Sequence, residues 1–459
     1  MSPGSSYLCR LLNMLSWKQH ISATLVLAVP ICFSNLGHIL VDVADSFFVG
    51  QIGTAPQAAV MLAGTFYILA LVFAIGMSYG ITPLVAEAAG KGEQEKIPLL
   101  LKNAFIANFA ICILMFLVLF FCAPLLRYLD QPEGVVEIAI PFLNVIMFSM
   151  IPLSFFFTLK QFAEGLSDTK AAMYISIGAN LLNVLLNYLL VFGSLGFPEM
   201  GVMGSCWATF ISRCAMAAGM YLYVYYSPRF RQYREGFRMR GFSRGVLKKL
   251  FRTGIPAGLQ FTFEVGAFSA AGIFVGWLKD DVPMAAHRIA LSLAACTYMV
   301  SSGIGAAATV RVGHFLGLGG KGDYRRAGYT ALLLSLGFMI FGAVLFILFP
   351  GALTGSFNKD HQVVDMAASL LLIAAVFQLS DGTQVVALGM LRGLQDMNMP
   401  TVITLVAYWL ITLPACYILG FTMELGVHGI WYGFVIGLTI AGVALLWRFE
   451  YVCRKLSLK

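Results

Sequence analysis

The sequence predicts an all-α integral membrane protein with twelve transmembrane helices arranged as two parallel six-helix repeats. Three observations lead there: an apolar composition, a dozen long apolar runs, and weak self-similarity at an offset near half the chain. Of 459 residues, 59% are hydrophobic and 11% charged, against about 25% charged in ordinary soluble proteins. The mean hydropathy is +0.83. The apolar runs are about 20 residues or longer, enough to cross a hydrocarbon core of roughly 30 Å as helix. No polar stretch is long enough to fold alone, so a soluble catalytic domain is not expected. We read the chain as a non-enzyme with no catalytic residues and no cofactor beyond a coupling ion. The formal charge of +8 does not mark a nucleic-acid binder, because the basic residues lie between the spans and not along one soluble face.

Taken in order, the first run, 22–49, lies beyond Lys18, exceeds about 25 residues, and is not followed by a small-residue cleavage pattern. It reads as a span and not as a secretory signal. GQIGTAPQ (50–57) separates it from 57–86, and KGEQEK (91–96) precedes 103–129. The fourth run, 138–165, leads into EGLSD; the fifth, 171–193, carries ANLLNVLLNYLL; the sixth, 201–226, opens with GVMG. The seventh and eighth, 251–277 and 283–314, are followed by KGDYRR (321–326) and the ninth, 325–349. The tenth, 364–391, leads into RGLQD; the eleventh is 398–420; the twelfth, 426–448, opens with GVHG. The expected organisation is an N-terminal lobe at 16–226, a basic linker at 227–250, a C-terminal lobe at 251–450 and a tail at 451–459.

Charge sorting sets the orientation. Only Arg127, Lys279, Arg288 and Lys359 fall on or near the outer side and Arg213 lies mid-span; the rest of the 30 Lys and Arg collect on the other face. The positive-inside rule then puts both termini in the cytoplasm of a multi-pass inner-membrane protein. The linker SPRFRQYREGFRMRGFSRGVLKKL carries eight basic residues and one acid, suited to anionic lipid headgroups at the inner face. The nine cysteines are scattered without CxxC or Cys/His spacing, so neither a disulfide framework nor a zinc site is expected.

The repeat emerges on comparing the halves. Pro30 matches Pro256 and Val49-Gly50 matches Val275-Gly276, both 226 apart; Thr82 and Val85 match Thr309 and Val312 at 227; EGLSD (164–168) matches RGLQD (392–396) at 228; GVMG (201–204) matches GVHG (426–429) at 225. Six spans per repeat return the chain to the same face, so the repeats are parallel about an axis along the membrane normal. Such duplicated bundles suit alternating access around a central cavity. The chain contains no GxxxxGK[ST] loop, which excludes an ATP-driven pump within it.

An ionisable group at mid-bilayer costs about 2.5–3.5 kcal/mol on insertion scales and so needs a reason. Glu264, in FTFEVGAF, is near the middle of the seventh run, and Asp381, in FQLSDGTQVV, is near the middle of the tenth. Asp45 lies in the outer part of the first, with Asp42 one turn earlier on roughly the same face. A buried carboxylate without a fixed cation lowers its cost by holding a proton or ligating Na⁺, and exchange between these states is the chemistry of antiport. The competing reading is static glue, with Glu264 and Asp381 paired to Arg288 or to helix ends. Asn183 and Asn187, four apart with Asn180 behind, share one helix face and suit either a Na⁺ shell or interhelical hydrogen bonding. Lys160, Glu164 and Asp168 are read as snorkelling or salt-bridged groups at the inner end of the fourth helix. His38 is read as a packing residue before a proton-relay group, and mid-span Arg213 as a candidate to neutralise an acid of the first half. The 37 Phe and 21 Met suit packing, lipid contact and a cavity that repacks around varied hydrophobic cations.

The segments AAHRIAL (285–291), IGAAATVRVGHFLG (304–317) and DGTQVVALGMLRGLQD (381–396) closely resemble multidrug and toxic compound extrusion (MATE) transporters, in particular the NorM-like branch. DSFFVGQIG, QFAEGLSD, NVLLNY and GVMGSCWAT extend the likeness through the first half. The resemblance implies a V-shaped pair of six-helix lobes around a central cavity and efflux of cationic or amphipathic organic compounds in exchange for Na⁺ or H⁺. It implies cation coupling at Glu264 and Asp381 and at Asp45, with Asn183, Asn187 and Thr209 as polar partners of Asp45, and Na⁺ at either set. Phe377, Gln378, Phe261 and Asp42 are the candidates for the substrate cavity. One departure is visible: Phe377 stands where relatives can offer a Tyr ring, keeping a π face but losing the hydroxyl. Asn187 stands where some relatives have Asp.

The expected partners are small organic substrates and membrane lipid, with no nucleic acid, and the expected state is a monomer. The alternatives are a flippase for lipid-linked oligosaccharides, which is a different class of function, an exporter of a specific metabolite, and a structural or channel-like membrane protein. A flippase calls for a cationic cavity, whereas the mid-membrane charges here are chiefly acidic.

Overall fold

The computed structural model describes residues 16–128, 132–238, 242–319 and 323–458, with the side chains of Asp42 and Glu133 also outside the description. Among the described residues the chain is helical, with no strand. Among the described residues, eleven helices are long and apolar enough to cross a membrane. They are α1 (Trp17–Gly50), α2 (Thr54–Gly90), α3 (Lys96–Tyr128), α4 (Gly134–Gly165), α5 (Lys170–Phe192), α7 (Arg244–Trp277), α8 (Asp281–Leu318), α9 (Asp323–Leu348), α10 (His361–Gly393), α11 (Asn398–Thr422) and α12 (Gly426–Ser457). The remaining helix, α6 (Gly201–Tyr226), is also long, but its tyrosines, glycines and central Arg213 dilute its apolar character. The twelve helices coincide with the twelve apolar runs of the sequence. Their lipid-sized surface is apolar too: Phe121 is 71% exposed, Val443 64% and Trp447 71%, exposure that only a nonaqueous surround rewards.

The chain forms two compact units. Of the described residues, the N-unit contains those of Phe33–Val85 and Glu93–Thr262; the C-unit contains 16–32, Ala86–Gly92 and those of 263–458. Both α1 and α7 therefore contribute to both units, each past an internal proline, Pro30 and Pro256. In the N-unit, α7 crosses α2 glycine on glycine: a Cβ on Gly76 would lie 2.6 Å from the Gly258 Cα, and one on Gly80 would lie 2.6 Å from the Gly254 nitrogen. Small residues let the backbones approach where lipid offers no hydrophobic drive for helix association. In the C-unit, α1 meets α8 in the related way, with a Cβ on Gly303 reaching within 2.8 Å of the Cys32 nitrogen. Cys32 also donates its thiol to the Val300 carbonyl at 3.2 Å.

The repeat is visible atom by atom. Thr82 donates to the Gln161 carbonyl at 3.1 Å, and Thr309 donates to the Gly389 carbonyl at 2.8 Å. After α4, Ser167 takes φ 60° while the Asp168 N–H donates to Ala163 at 2.9 Å; after α10, Gln395 takes φ 59° while the Asp396 N–H donates to Leu391 at 3.1 Å. Both helices thus end in the same left-handed turn that satisfies orphan carbonyls. The C-unit core holds two apolar clusters, one around Phe377, Tyr408, Trp431 and Phe434, the other around Phe315, Met390, Leu445 and Phe449.

Candidate functional site

In the N-unit, α1, α5 and α6 converge on Asp45. Asn187 donates from Nδ2 to Asp45 Oδ1 at 2.6 Å, and Thr209 donates from Oγ1 to Asp45 Oδ2 at 2.8 Å. The α-helical period sets Asn183 one turn from Asn187, where Asn183 Oδ1 accepts from the Asn187 amide at 3.1 Å and Asn183 Nδ2 donates to Thr209 Oγ1 at 3.2 Å. All three partners are buried, while Asp45 itself is half-buried. Asn187 Oδ1 is buried without a hydrogen-bond partner. The three partners singled out for this aspartate, Asn183, Asn187 and Thr209, are therefore brought together with it. Asp42 falls outside the described side chains.

Arg213 does not neutralise Asp45 by direct contact. Its guanidinium donates to the Tyr67 hydroxyl and, at 2.6 Å, to Ser149 Oγ, and lies over the Tyr67 ring. Lys160 and Glu164 do not snorkel but are salt-bridged: both are 1% exposed, with their charged atoms 3.9 Å apart inside the N-unit. Asp168, also buried, accepts from Tyr223 at 2.8 Å and faces Arg229 at 3.7 Å.

In the C-unit, Glu264 of α7 and Asp381 of α10 are buried, at 6% and 2% exposure. Tyr298 donates to Glu264 Oε2 and Tyr408 donates to Glu264 Oε1, both at 3.3 Å. Tyr408 in turn accepts from Gln384 Nε2 at 2.8 Å. Among the described residues, neither carboxylate makes an ion pair within 4 Å. Asp381 Oδ1, Gln384 Oε1 and both polar atoms of Gln378 are buried without hydrogen-bond partners. Unsatisfied buried oxygens are costly.

Sequence reasoning missed Tyr298, Tyr408 and Gln384. Gln384 could have been found, being three residues after Asp381 and so beside it on α10. Tyr408 could not: it lies in a π-helical stretch, Val406–Thr412, and π segments recur at functional sites without a sequence signature.

The cavity candidates do not form one cluster within either unit. Phe377 is 2% exposed and packs against Trp431, Phe434 and Phe268, with ring centroids 5.6, 6.1 and 6.2 Å away. Gln378 is fully buried. Phe261 belongs to the N-unit, where its ring lies 5.1 Å from that of Tyr79.

The MatE family model matches residues 30–189 and 256–418, which are corresponding parts of the two repeats. The chain is 31% identical over 443 residues to the multidrug resistance protein NorM of Vibrio vulnificus, covering 96% of this chain and 97% of that one. It is 33% identical over 436 residues to the multidrug resistance protein MdtK of Yersinia pestis, covering 93% and 94%. Among solved structures it is similar to an outward-facing multidrug resistance MATE family transporter of the MOP superfamily, with TM-score 0.89 at 19% identity over 98% of both chains. A eukaryotic MATE transporter gives TM-score 0.86 at 20% identity, covering 96% of this chain and 99% of that one. Two matched repeats, near-full-length relatives and a shared fold leave one assignment: the chain belongs to the MatE family of membrane transporters.

Proposed function

We propose that the protein is a multidrug efflux antiporter that exports cationic or amphipathic organic compounds in exchange for Na⁺ or H⁺. It works in the bacterial inner membrane as a monomer with both termini cytoplasmic. The names of its near-full-length relatives support the substrate class. The observation that carries the coupling is the chemistry of Glu264 and Asp381: two buried carboxylates without an ion pair, ringed by tyrosine hydroxyls and amide oxygens, several of them unsatisfied. Asp45, with Asn183, Asn187 and Thr209, is a second oxygen-rich cation site in the N-unit. A cation entering down its gradient occupies these acids, favours release of drug outward, and leaves inward. Each net charge moved gains roughly 2.3 kcal/mol per 100 mV.

Everted vesicles loaded by imposed Na⁺ or pH gradients, with ethidium and norfloxacin as probes, test the reading. Glu264→Gln and Asp381→Asn should each abolish gradient-driven transport; undiminished transport in both removes the coupling role. The same panel separates the alternatives, since a metabolite exporter leaves both probes untouched. A flippase reading finds little support, because mid-span Arg213 is tied to Tyr67 and Ser149.

A further inference from the structure

The N-unit holds a second group of buried ionisable side chains, apart from the Asp45 cluster. Lys160 and Glu164 lie one turn apart on α4, each 1% exposed, and their closest polar atoms are 3.9 Å apart. Lys160 Nζ donates to Ser34 Oγ of α1 at 3.3 Å, and Glu164 Oε1 has no hydrogen-bond partner. One ring joins this pair to a histidine: Phe157 has Lys160 Nζ 5.3 Å from its centroid and the His38 ring stacked at 5.8 Å. His38 Nε2 is likewise buried without a partner. Ser34, His38 and Asp45 share one face of α1, with His38 about 10 Å along the axis from Asp45.

The repeat says what these groups are not. At the offset of 228, Lys160 corresponds to Leu388 and Glu164 to Arg392, so the C-unit builds the same helix and the same terminal turn without a Lys–Glu pair. The pair is not required by the fold. At the offset of 226, which aligns Pro30 with Pro256, His38 corresponds to Glu264. The N-unit thus carries an imidazole where the C-unit carries its buried acid.

We infer that His38, Lys160 and Glu164 form a proton-binding site of the N-unit, distinct from the Asp45 cluster and lying toward the inner end of α4. The inference rests on the antiport reading and specifies that the ion handled here is H⁺. The site binds a proton either on the His38 ring, which becomes an imidazolium, or on Glu164, whose carboxylate becomes a carboxylic acid, while Lys160 keeps its own proton; release of the bound proton inward restores the starting state. Other charged groups around the site are otherwise engaged or distant in sequence from it. On α6, Arg213 is held by Tyr67 and Ser149; at the end of α4, Asp168 is held by Tyr223 and Arg229. Segment 54–85 of α2 carries no charge, and Lys102 of α3 and Lys170 of α5 stand near their helices' inner starts.

The test uses full-length protein in proteoliposomes, with ethidium as the probe and two readouts. Counterflow exchange of ethidium without a gradient reports a folded, substrate-competent protein; accumulation driven by a pH gradient reports proton coupling. Glu164→Gln and His38→Gln should keep counterflow and lower pH-driven accumulation by about tenfold or more. The double variant Lys160→Met with Glu164→Gln leaves no unpaired buried charge, and should behave in the same way even where a single variant folds poorly. Wild-type-like pH-driven accumulation in the double variant and in His38→Gln overturns the proton site while leaving the antiport reading intact. Wild-type accumulation that follows a Na⁺ gradient and ignores the pH gradient also overturns it. No gradient-driven accumulation by the wild type overturns the antiport reading itself.

Discussion

Tyr408 and Glu264 meet at 3.3 Å between α11 and α7, with the tyrosine hydroxyl as donor and the carboxylate as acceptor. The same hydroxyl accepts from Gln384 on α10 at 2.8 Å, so one oxygen links three helices of the C-unit around a buried acid. The N-unit answers with different chemistry: amide and threonine donors grip both oxygens of Asp45. The two units share a backbone repeat but not the donors around their buried acids.

Tyr408→Phe keeps the ring within its apolar cluster and deletes only the hydroxyl. Glu264 then loses one donor and Gln384 loses its acceptor. Removing such an orienting partner typically costs about 10–100-fold in ion affinity. The concentration of coupling ion giving half-maximal ethidium efflux should rise by about tenfold, while melting temperature in detergent shifts by only a few degrees. An unchanged ion dependence would show that this hydroxyl does not serve the site.

Asn187→Leu is the corresponding probe of the N-unit. It removes the 2.6 Å donor to Asp45 and the 3.1 Å link to Asn183, while Thr209 still donates to the other carboxylate oxygen at 2.8 Å. The loss of a hydrogen bond to a charged group is worth about 1.5–3 kcal/mol. Ion-driven efflux should fall by about tenfold or more, and Asn187→Asp, which restores oxygen donors and adds charge, should regain ion binding measured by equilibrium dialysis with ²²Na⁺ or by proton uptake.

The glycines predict stability. A Cβ on Gly165 would meet the Val85 Cβ at 2.9 Å, whereas one on Gly178 meets nothing within 4 Å. Overpacking costs about 1–3 kcal/mol, while alanine in place of an exposed helical glycine gains up to about 1 kcal/mol. Gly165→Ala should lower the unfolding temperature in detergent and Gly178→Ala should hold or raise it. Equal melting curves for the two would contradict the close approach of α4 and α2.

Most of the fold was legible because the bilayer imposes it. A span must be apolar and long, and all twelve runs, 22–49 through 426–448, became helices. The duplication was legible from EGLSD and RGLQD, whose turns after α4 and α10 carry the same backbone geometry. The Asp45 cluster was legible because Asn183 and Asn187 obey the helical period and the family resemblance supplied Thr209. Tyr298 and Tyr408 were not, because 18 tyrosines are spread along the chain and only tertiary packing selects the two that reach Glu264. Nor was the burial of Lys160 and Glu164 legible: their distance from the run's end suggested a wet boundary, and helix packing removed it.

Arg311 offers a last prediction, on how α8 is fastened to α1 within the C-unit. It is 6% exposed and donates to the His20 carbonyl at 2.7 Å, to Thr24 Oγ1 at 2.5 Å and to a His20 ring nitrogen at 2.7 Å, with its guanidinium 5.7 Å from the Phe315 ring centroid. The planar fork is what allows one cation to serve two residues of α1 at once. Arg311→Met preserves much of the volume and removes every donor, and Thr24→Val removes one acceptor while keeping the shape. If the fork holds the helices together, the double variant should be less destabilised than the sum of the singles by about 0.5–3 kcal/mol, the range for residues in one hydrogen-bond network. Thermal unfolding of the four proteins in the same detergent measures this coupling. Strict additivity would mean that Arg311 and Thr24 contribute independently, and that the apolar packing of Phe315 and its neighbours alone fastens the pair.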